Sequence, residues 1–203
     1  HVSRGVFGAH VANVVRRLRR LAAIHGSAPQ LLLASATIAN PEEALAALVG
    51  AELEVIRDDA SAQPPRTLAV WNPELIDPDA GERRSALQDA AELVAALVVD
   101  GRRVIAFARS RRGVEVLAQD VARRLDGPLA RRVTPYRAGY TAEQRRDLER
   151  RLADGELLAV VATSALELGI DVGLLDACVV VGYPGTIAGL RQRFGRAGRI
   201  GEG

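Results

Sequence analysis

The sequence predicts an α/β fold built around a mostly parallel sheet, and three observations carry that prediction. Short apolar runs alternate with stretches of helical periodicity over the greater part of the chain, as expected when helices cover a sheet made of strand–helix units. The 203 residues are 48% hydrophobic and 26% charged, a balance that supplies a real core and excludes a disordered chain. Finally, each later apolar run leads into a cluster of hydroxyl, glycine or arginine residues. Ligands of open parallel sheets bind at that carboxyl edge.

In chain order, Val11, Val14, Val15, Leu18 and Leu21 repeat at helical spacing, flanked by Arg16, Arg17, Arg19 and Arg20. This reads as a helix with a basic, solvated face. Leu31 to Ala34 is a candidate strand leading into Ser35-Ala36-Thr37. Asn40-Pro41-Glu42-Glu43 opens a helix, with an Asn cap, Pro in the first turn and acids at the positive end. Leu53 to Ile56 is another candidate strand. Residues 58–66 have linker composition, including a Pro-Pro pair,. A strand is expected at Thr67–Trp71, turns from Asn72 to Gly81, and a helix from about Arg83 to Val99. Strands then follow at Val104–Phe107, Val133–Pro135, Leu158–Ala162 and Cys178–Gly182. The helices Gly113–Leu125, Ala142–Leu152 and Ile187–Phe194 alternate with them.

Composition narrows the function. The net charge is only +2, so no global basic field points to nucleic acid. All 27 basic residues are arginine, and a Walker A phosphate loop, which ends in Gly-Lys-Ser/Thr, therefore cannot exist in this chain. There is no methionine, so the chain reads as an internal part of something longer. Cys178 is the single cysteine; it excludes an internal disulfide framework and reads as a buried strand thiol. No apolar run reaches membrane-spanning length and no signal peptide opens the sequence, which makes a cytoplasmic location, away from membranes, the expectation. His10 and His25 read as surface or packing residues, and the histidines and cysteine have no metal-site spacing. Aromatic residues amount to 3%, too few for a base-stacking platform.

The chemistry concentrates late in the chain. In Gln192-Arg193-Phe194-Gly195-Arg196-Ala197-Gly198-Arg199, two arginines three apart each follow a glycine. Glycine lets a ligand approach the backbone, and two guanidinium forks suit phosphate oxygens. Phosphoryl transfer needs charge neutralised by positioned cations in this way. Upstream lie Thr163 and Gly169-Ile170-Asp171. Arg109-Ser110-Arg111, Gly139-Tyr140-Thr141, Thr163-Ser164 and Tyr183-Pro184-Gly185-Thr186 each follow a predicted strand. Thr141 with Gln144 forms a capping-box pattern. Free N–H groups at several helix starts along one sheet edge suit a phosphate backbone. Arg193 is either a ligand or a residue that orients the loop through a salt bridge.

Together these segments resemble superfamily two helicases of the DEAD/DEAH type over essentially the whole chain. Ser35-Ala36-Thr37 resembles the motif that couples ATP hydrolysis to strand separation. Phe107 to Arg111 is similar to motif four, and Gly139 to Arg146 to the nucleic-acid motif that follows it. Thr163 to Asp171 resembles motif five, and Gln192 to Arg199 motif six. Tyr136 to Thr141, Ala165 to Asp171 and Gly182 to Thr186 resemble the Hrq/YprA branch, related to the Lhr-type helicases. His1, followed by Arg4-Gly5-Val6-Phe7-Gly8, is similar to the end of an Asp-Glu-x-His box in motif two. The Walker A loop, the Asp-Glu pair and the cysteine-rich C-terminal module of the branch lie outside the chain. Phe194 stands where the branch often has a smaller residue.

The resemblance implies a RecA-like parallel sheet flanked by helices, the second motor domain, preceded by a C-terminal piece of the first. Residues 1–60 would belong to the first domain, 61–82 to a linker and the start of the second, and 83–203 to the second. It implies an ATP-dependent DNA helicase or translocase moving 3′ to 5′. Gln192, Arg196, Arg199 and His1 would act in catalysis, and Gly169, Asp171, Arg196 and Arg199 would bind ATP. Ser35, Ala36 and Thr37 would couple the two activities. Arg109, Ser110, Gly139, Thr141 and Thr163 would contact nucleic acid, DNA in preference to RNA. ATP and Mg²⁺ would be held chiefly by first-domain motifs, so the chain alone is expected to be inactive as an ATPase. A non-catalytic nucleic-acid-binding module and an RNA helicase are the alternatives.

Overall fold

A computed structural model of the chain describes residues 5–35, 38, 40–58, 65–136, 139–163 and 175–198. The chain divides into two compact units, His1–Ser61 and Ala62–Gly203.

In the first unit, α1 (Gly5–Ile24) packs on α2 (Pro41–Val49). Asn40 is the N-cap residue of α2, with Pro41 in the first turn and Glu42 and Glu43 beside it. Its side chain does not cap a backbone N–H; Asn40 Nδ2 donates instead to Glu43 Oε2 at 3.0 Å. The arginine face of α1 is more than a solvated surface. Arg16 Nη2 donates to the Ala47 carbonyl at 3.0 Å, and Arg19 Nη1 to the Val49 and Gly50 carbonyls at 2.8 and 3.1 Å. These are carbonyls at the end of α2 that have no partner within the helix, and they carry its negative pole.

The strands expected at Leu31–Ala34, Leu53–Ile56 and Thr67–Trp71 do not form. An apolar run becomes a strand only when a neighbour completes its hydrogen-bond ladder, and among the described residues none is paired with these segments. Leu32 and Ile56 are each 87% exposed. In the stretch read as turns, the second unit instead opens with a small hairpin. In it β1 (Leu75–Asp77) pairs antiparallel with β2 (Glu82–Arg83). Asp77 Oδ1 closes its turn by accepting from the Asp79 and Ala80 N–H groups, both at 2.9 Å. Arg83 therefore belongs to β2, and the helix expected from that position, α3, runs Ala86–Val99.

The central sheet is parallel throughout, in the order β4 (Val133–Tyr136), β5 (Ala159–Ala162), β3 (Val104–Phe107), β6 (Ala177–Val180). The central strands β3 and β5 are buried along their whole length, which is why they read as unbroken apolar runs. Side chains alternate between faces. Val104, Ala106, Ala159 and Val161 pack with α3 and with α4 (Arg111–Arg123). Ile105, Phe107, Val160 and Ala162 pack with Leu148 and Leu152 of α6 (Ala142–Ala153) and with Leu157 and Leu175. A one-turn helix, α5 (Gly127–Ala130), precedes β4, and α7 (Ile187–Phe194) follows β6. The second unit is thus an α/β layer structure of the RecA-like kind, with helices flanking a parallel sheet.

Candidate nucleotide and nucleic-acid site

The loops that leave the carboxyl ends of the four strands carry the polar residues singled out by sequence. After β3, Arg109 and Ser110 are exposed, and Ser110 Oγ caps α4 by accepting from the Gly113 N–H at 3.0 Å. After β6, Thr186 Oγ1 caps α7 in the same way, accepting from the Gly189 N–H at 3.0 Å. Glycine stands at the third helical position of both helices, and a Cβ on Gly189 would lie 3.0 Å from Thr186 Oγ1.

The β3 and β6 loops meet. Gly182 has φ +76°, and a Cβ placed there would lie 3.0 Å from Arg109 Cδ. A side chain at this position would strain the backbone and push on the Arg109 stem. Sequence reasoning gave Gly182 no role beyond the resemblance. The Gly-Tyr-Pro-Gly spacing marks a turn, but which side chain lies against it is a tertiary fact.

After β4, Thr141 forms the full capping box with Gln144: the Gln144 N–H donates to Thr141 Oγ1 at 3.2 Å and the Thr141 N–H to Gln144 Oε1 at 2.9 Å. Tyr140 stands edge-on to Tyr136, with ring centroids 5.2 Å apart, and its hydroxyl donates to the Pro135 carbonyl at 3.1 Å. Gly139 and Thr141 are exposed beside this buttress. Thr163 follows Ala162 at the end of β5 and is half-buried. The Ala162 carbonyl accepts from the Ala108 N–H at 2.9 Å, which holds the β5 exit against the β3 exit.

The arginine loop grows out of α7. Gln192 is half-buried on the helix, while Arg193 is 5% exposed. The Arg193 guanidinium lies over the Phe107 ring, 5.2 Å from its centroid, a cation–π contact at the end of the central strand. Arg193 is therefore built into the support of the loop. The Gly195 N–H donates to the Arg191 carbonyl at 2.9 Å and the Arg196 N–H to the Arg193 carbonyl at 3.0 Å, so the chain turns tightly at the helix end. Gly198, with φ +65°, donates to the Leu175 carbonyl at 2.9 Å, and its own carbonyl accepts from Arg66 Nε at 3.1 Å. Nothing in the local sequence singles out Arg66, which lies 132 residues away. Burial pushes the Cys178 thiol up to about 12, against the opposing pull of Arg193 and Arg196. Ala197 of the arginine loop packs against the same apolar cluster as Cys178 and Val180 of β6.

Of the other candidates, Ser35 is exposed in the first unit. His1, Ala36, Thr37, Gly169, Asp171 and Arg199 lie outside the described residues. Among the described residues, no group of three or more His, Cys, Asp or Glu is placed to hold a metal ion. No helix among them is long and apolar enough to cross a membrane.

Residues 86–201 match the helicase conserved C-terminal domain. The chain is 40% identical over 200 residues to the uncharacterized ATP-dependent helicase YprA of Bacillus subtilis (strain 168), covering 98% of this chain and 27% of that protein. It is 38% identical over 208 residues to the ATP-dependent helicase hrq1 of Schizosaccharomyces pombe, covering 98% of this chain and 20% of that protein. Among solved structures, the DUF1998 helicase MrfA bound to DNA and AMPPNP matches with a TM-score of 0.84 at 39% identity, covering 98% of this chain and 28% of that one. The chain belongs to the helicase conserved C-terminal domain family of the superfamily two helicases, within the Hrq/YprA, Lhr-related branch. It spans roughly a fifth to a quarter of the length of these relatives.

Proposed function

We propose that the chain is part of an ATP-dependent DNA helicase or translocase, and that it supplies arginine fingers and contacts to the nucleic-acid backbone. The observation that carries this reading is the loop Gly195–Gly198, which sets Arg196 at the end of α7 beside a sheet edge lined with capped helix starts. Residues 1–60 are assigned to the end of the first RecA-like domain, 61–82 to the linker, and 83–203 to the second domain. Arg196 and Arg199 reach the γ-phosphate of ATP when the domains close, with Gln192 and His1 acting beside them. Gly169 and Asp171 hold the nucleotide, and Ser35, Ala36 and Thr37 couple its hydrolysis to strand separation. Arg109, Ser110, Gly139, Thr141 and Thr163 track the strand through its phosphates, by charge and hydroxyl contacts that do not depend on base identity.

The relatives support the reading: two are ATP-dependent helicases, and MrfA was solved with DNA and AMPPNP. DNA is accordingly the favoured strand, and 3′ to 5′ is the direction proposed from the resemblance to the Hrq/YprA branch. Mg²⁺ is assigned to motifs of the first domain outside this chain, and the chain alone is inactive as an ATPase.

The test is ATP turnover by the longer protein, with and without single-stranded DNA, beside its Arg199→Ala variant. The expected result is DNA-stimulated turnover that falls by about 10³-fold or more in the variant, with ATP binding kept. No turnover in the longer protein would hand the case to a non-catalytic binding module. Stimulation by RNA alone would make it an RNA helicase. Hydrolysis by the purified 203-residue chain would overturn the assignment of the nucleotide site to two domains.

A further inference from the structure

Gly198 is held from both sides. Its N–H donates to the Leu175 carbonyl at 2.9 Å, and its carbonyl accepts from Arg66 Nε at 3.1 Å. The Arg66 stem also packs on the glycine itself: a Cβ added to Gly198 would lie 3.4 Å from Arg66 Cγ and 3.5 Å from Arg66 Nε. With φ +65°, Gly198 occupies a backbone region that other residues rarely adopt,. The Gly198 peptide is therefore fixed by its partners, through the Leu175 carbonyl on one side and Arg66 on the other. Arg66 itself sits near the N-terminal boundary of the second unit, far in sequence from the loop it grips.

We infer that Arg66 is a positioning residue for the arginine loop: its Nε–H, with the stem packed on Gly198, holds the Gly198 peptide at the end of the loop that carries Arg196. The inference rests on the helicase reading only for its effect on turnover; the clamp itself does not depend on that reading. The contact is made by Nε to a carbonyl, so a neutral donor at the same place serves as well as a charge. The side chain of glutamine puts a nitrogen where Arg66 Nε stands. Methionine keeps a comparable stem and has no donor.

Two readouts separate the clamp from the motor. The first is hydrogen–deuterium exchange over residues 195–199 of this chain in the wild type and the Arg66→Met and Arg66→Gln variants. Faster exchange in the Met variant by about tenfold, the scale of one lost hydrogen bond, with near wild-type exchange in the Gln variant, is expected. Equal exchange in all three overturns the proposal. The second is ATP turnover of the longer protein. A fall in kcat of about tenfold for Arg66→Met, with the KM for ATP and the affinity for single-stranded DNA unchanged and kcat restored by Arg66→Gln, is the expected result. If Gln fails as Met does, the charge is what matters and the positioning role is overturned. If the exchange pattern holds but the wild type does not hydrolyse ATP, the clamp stands and the helicase reading falls.

Discussion

The guanidinium of Arg193 lies over the ring of Phe107, 5.2 Å from its centroid, with Phe107 fully buried and Arg193 only 5% exposed. One end of this contact is on α7, which leads into the arginine loop. The other is on β3, which leads into Arg109 and Ser110. A single contact thus ties the support of the proposed phosphate arginines to the support of the proposed strand contacts.

That contact is expected to be energetically real. In a double-mutant cycle of Phe107→Leu and Arg193→Met, the two changes should be non-additive by about 1 kcal/mol in urea unfolding. Additive effects would mean that the ring and the cation stabilise the fold independently.

Gly182→Ala should be damaging out of proportion to its size. The φ of +76° costs a side chain about 1–2 kcal/mol, and the new methyl would stand 3.0 Å from Arg109 Cδ. We expect a lower unfolding midpoint and, in the longer protein, weaker binding of single-stranded DNA as Arg109 is displaced. Gly127→Ala is the control, since a Cβ there meets nothing within 4 Å. The two variants behaving alike would remove the argument.

Thr141→Val preserves shape and removes the cap of α6. The loss of its hydrogen bond to the Gln144 N–H should cost about 1 kcal/mol of stability, read as a shift in a thermal or urea unfolding curve. A midpoint unchanged from wild type would show that solvent satisfies the helix end equally well.

Cys178 gives a pH dependence with a definite sign. Burial raises its thiol from the ordinary value of 9.0 to about 12, so the folded chain keeps a proton that the unfolded chain releases. Stability from this group is complete below pH 9 and falls as the pH rises toward 12, because there the unfolded state binds fewer protons. Wild type should therefore lose stability relative to Cys178→Ala as the pH rises from 9 to about 10.5,. A constant difference across that range would show that the thiol titrates normally.

Much of the second unit was legible in sequence because its signals are local. The unbroken apolar runs of β3 and β5, the helical spacing of α3 and the Thr141–Gln144 box each state their own structure, and all of them form, although α3 starts at Ala86 rather than near Arg83. The candidate strands at Leu31–Ala34 and Leu53–Ile56 were misread for the complementary reason. A strand is a property of two segments, and the apolar character of one says nothing about whether a ladder partner exists. The hairpin at Leu75–Arg83 was missed inside a stretch whose Asp and Pro residues spoke only of turns.

By itself, the sequence determined the α/β class, the polar edge at the strand ends and the family, since periodicity, turn chemistry and motif spacing are all written along the chain. Tertiary structure decided which groups meet: Arg193 with Phe107, Arg109 with Gly182, Arg66 with Gly198. The partners in these contacts lie 86, 73 and 132 positions apart, respectively. Contacts of that range form only once the chain has folded and brought segments distant in sequence together, and no local pattern encodes them.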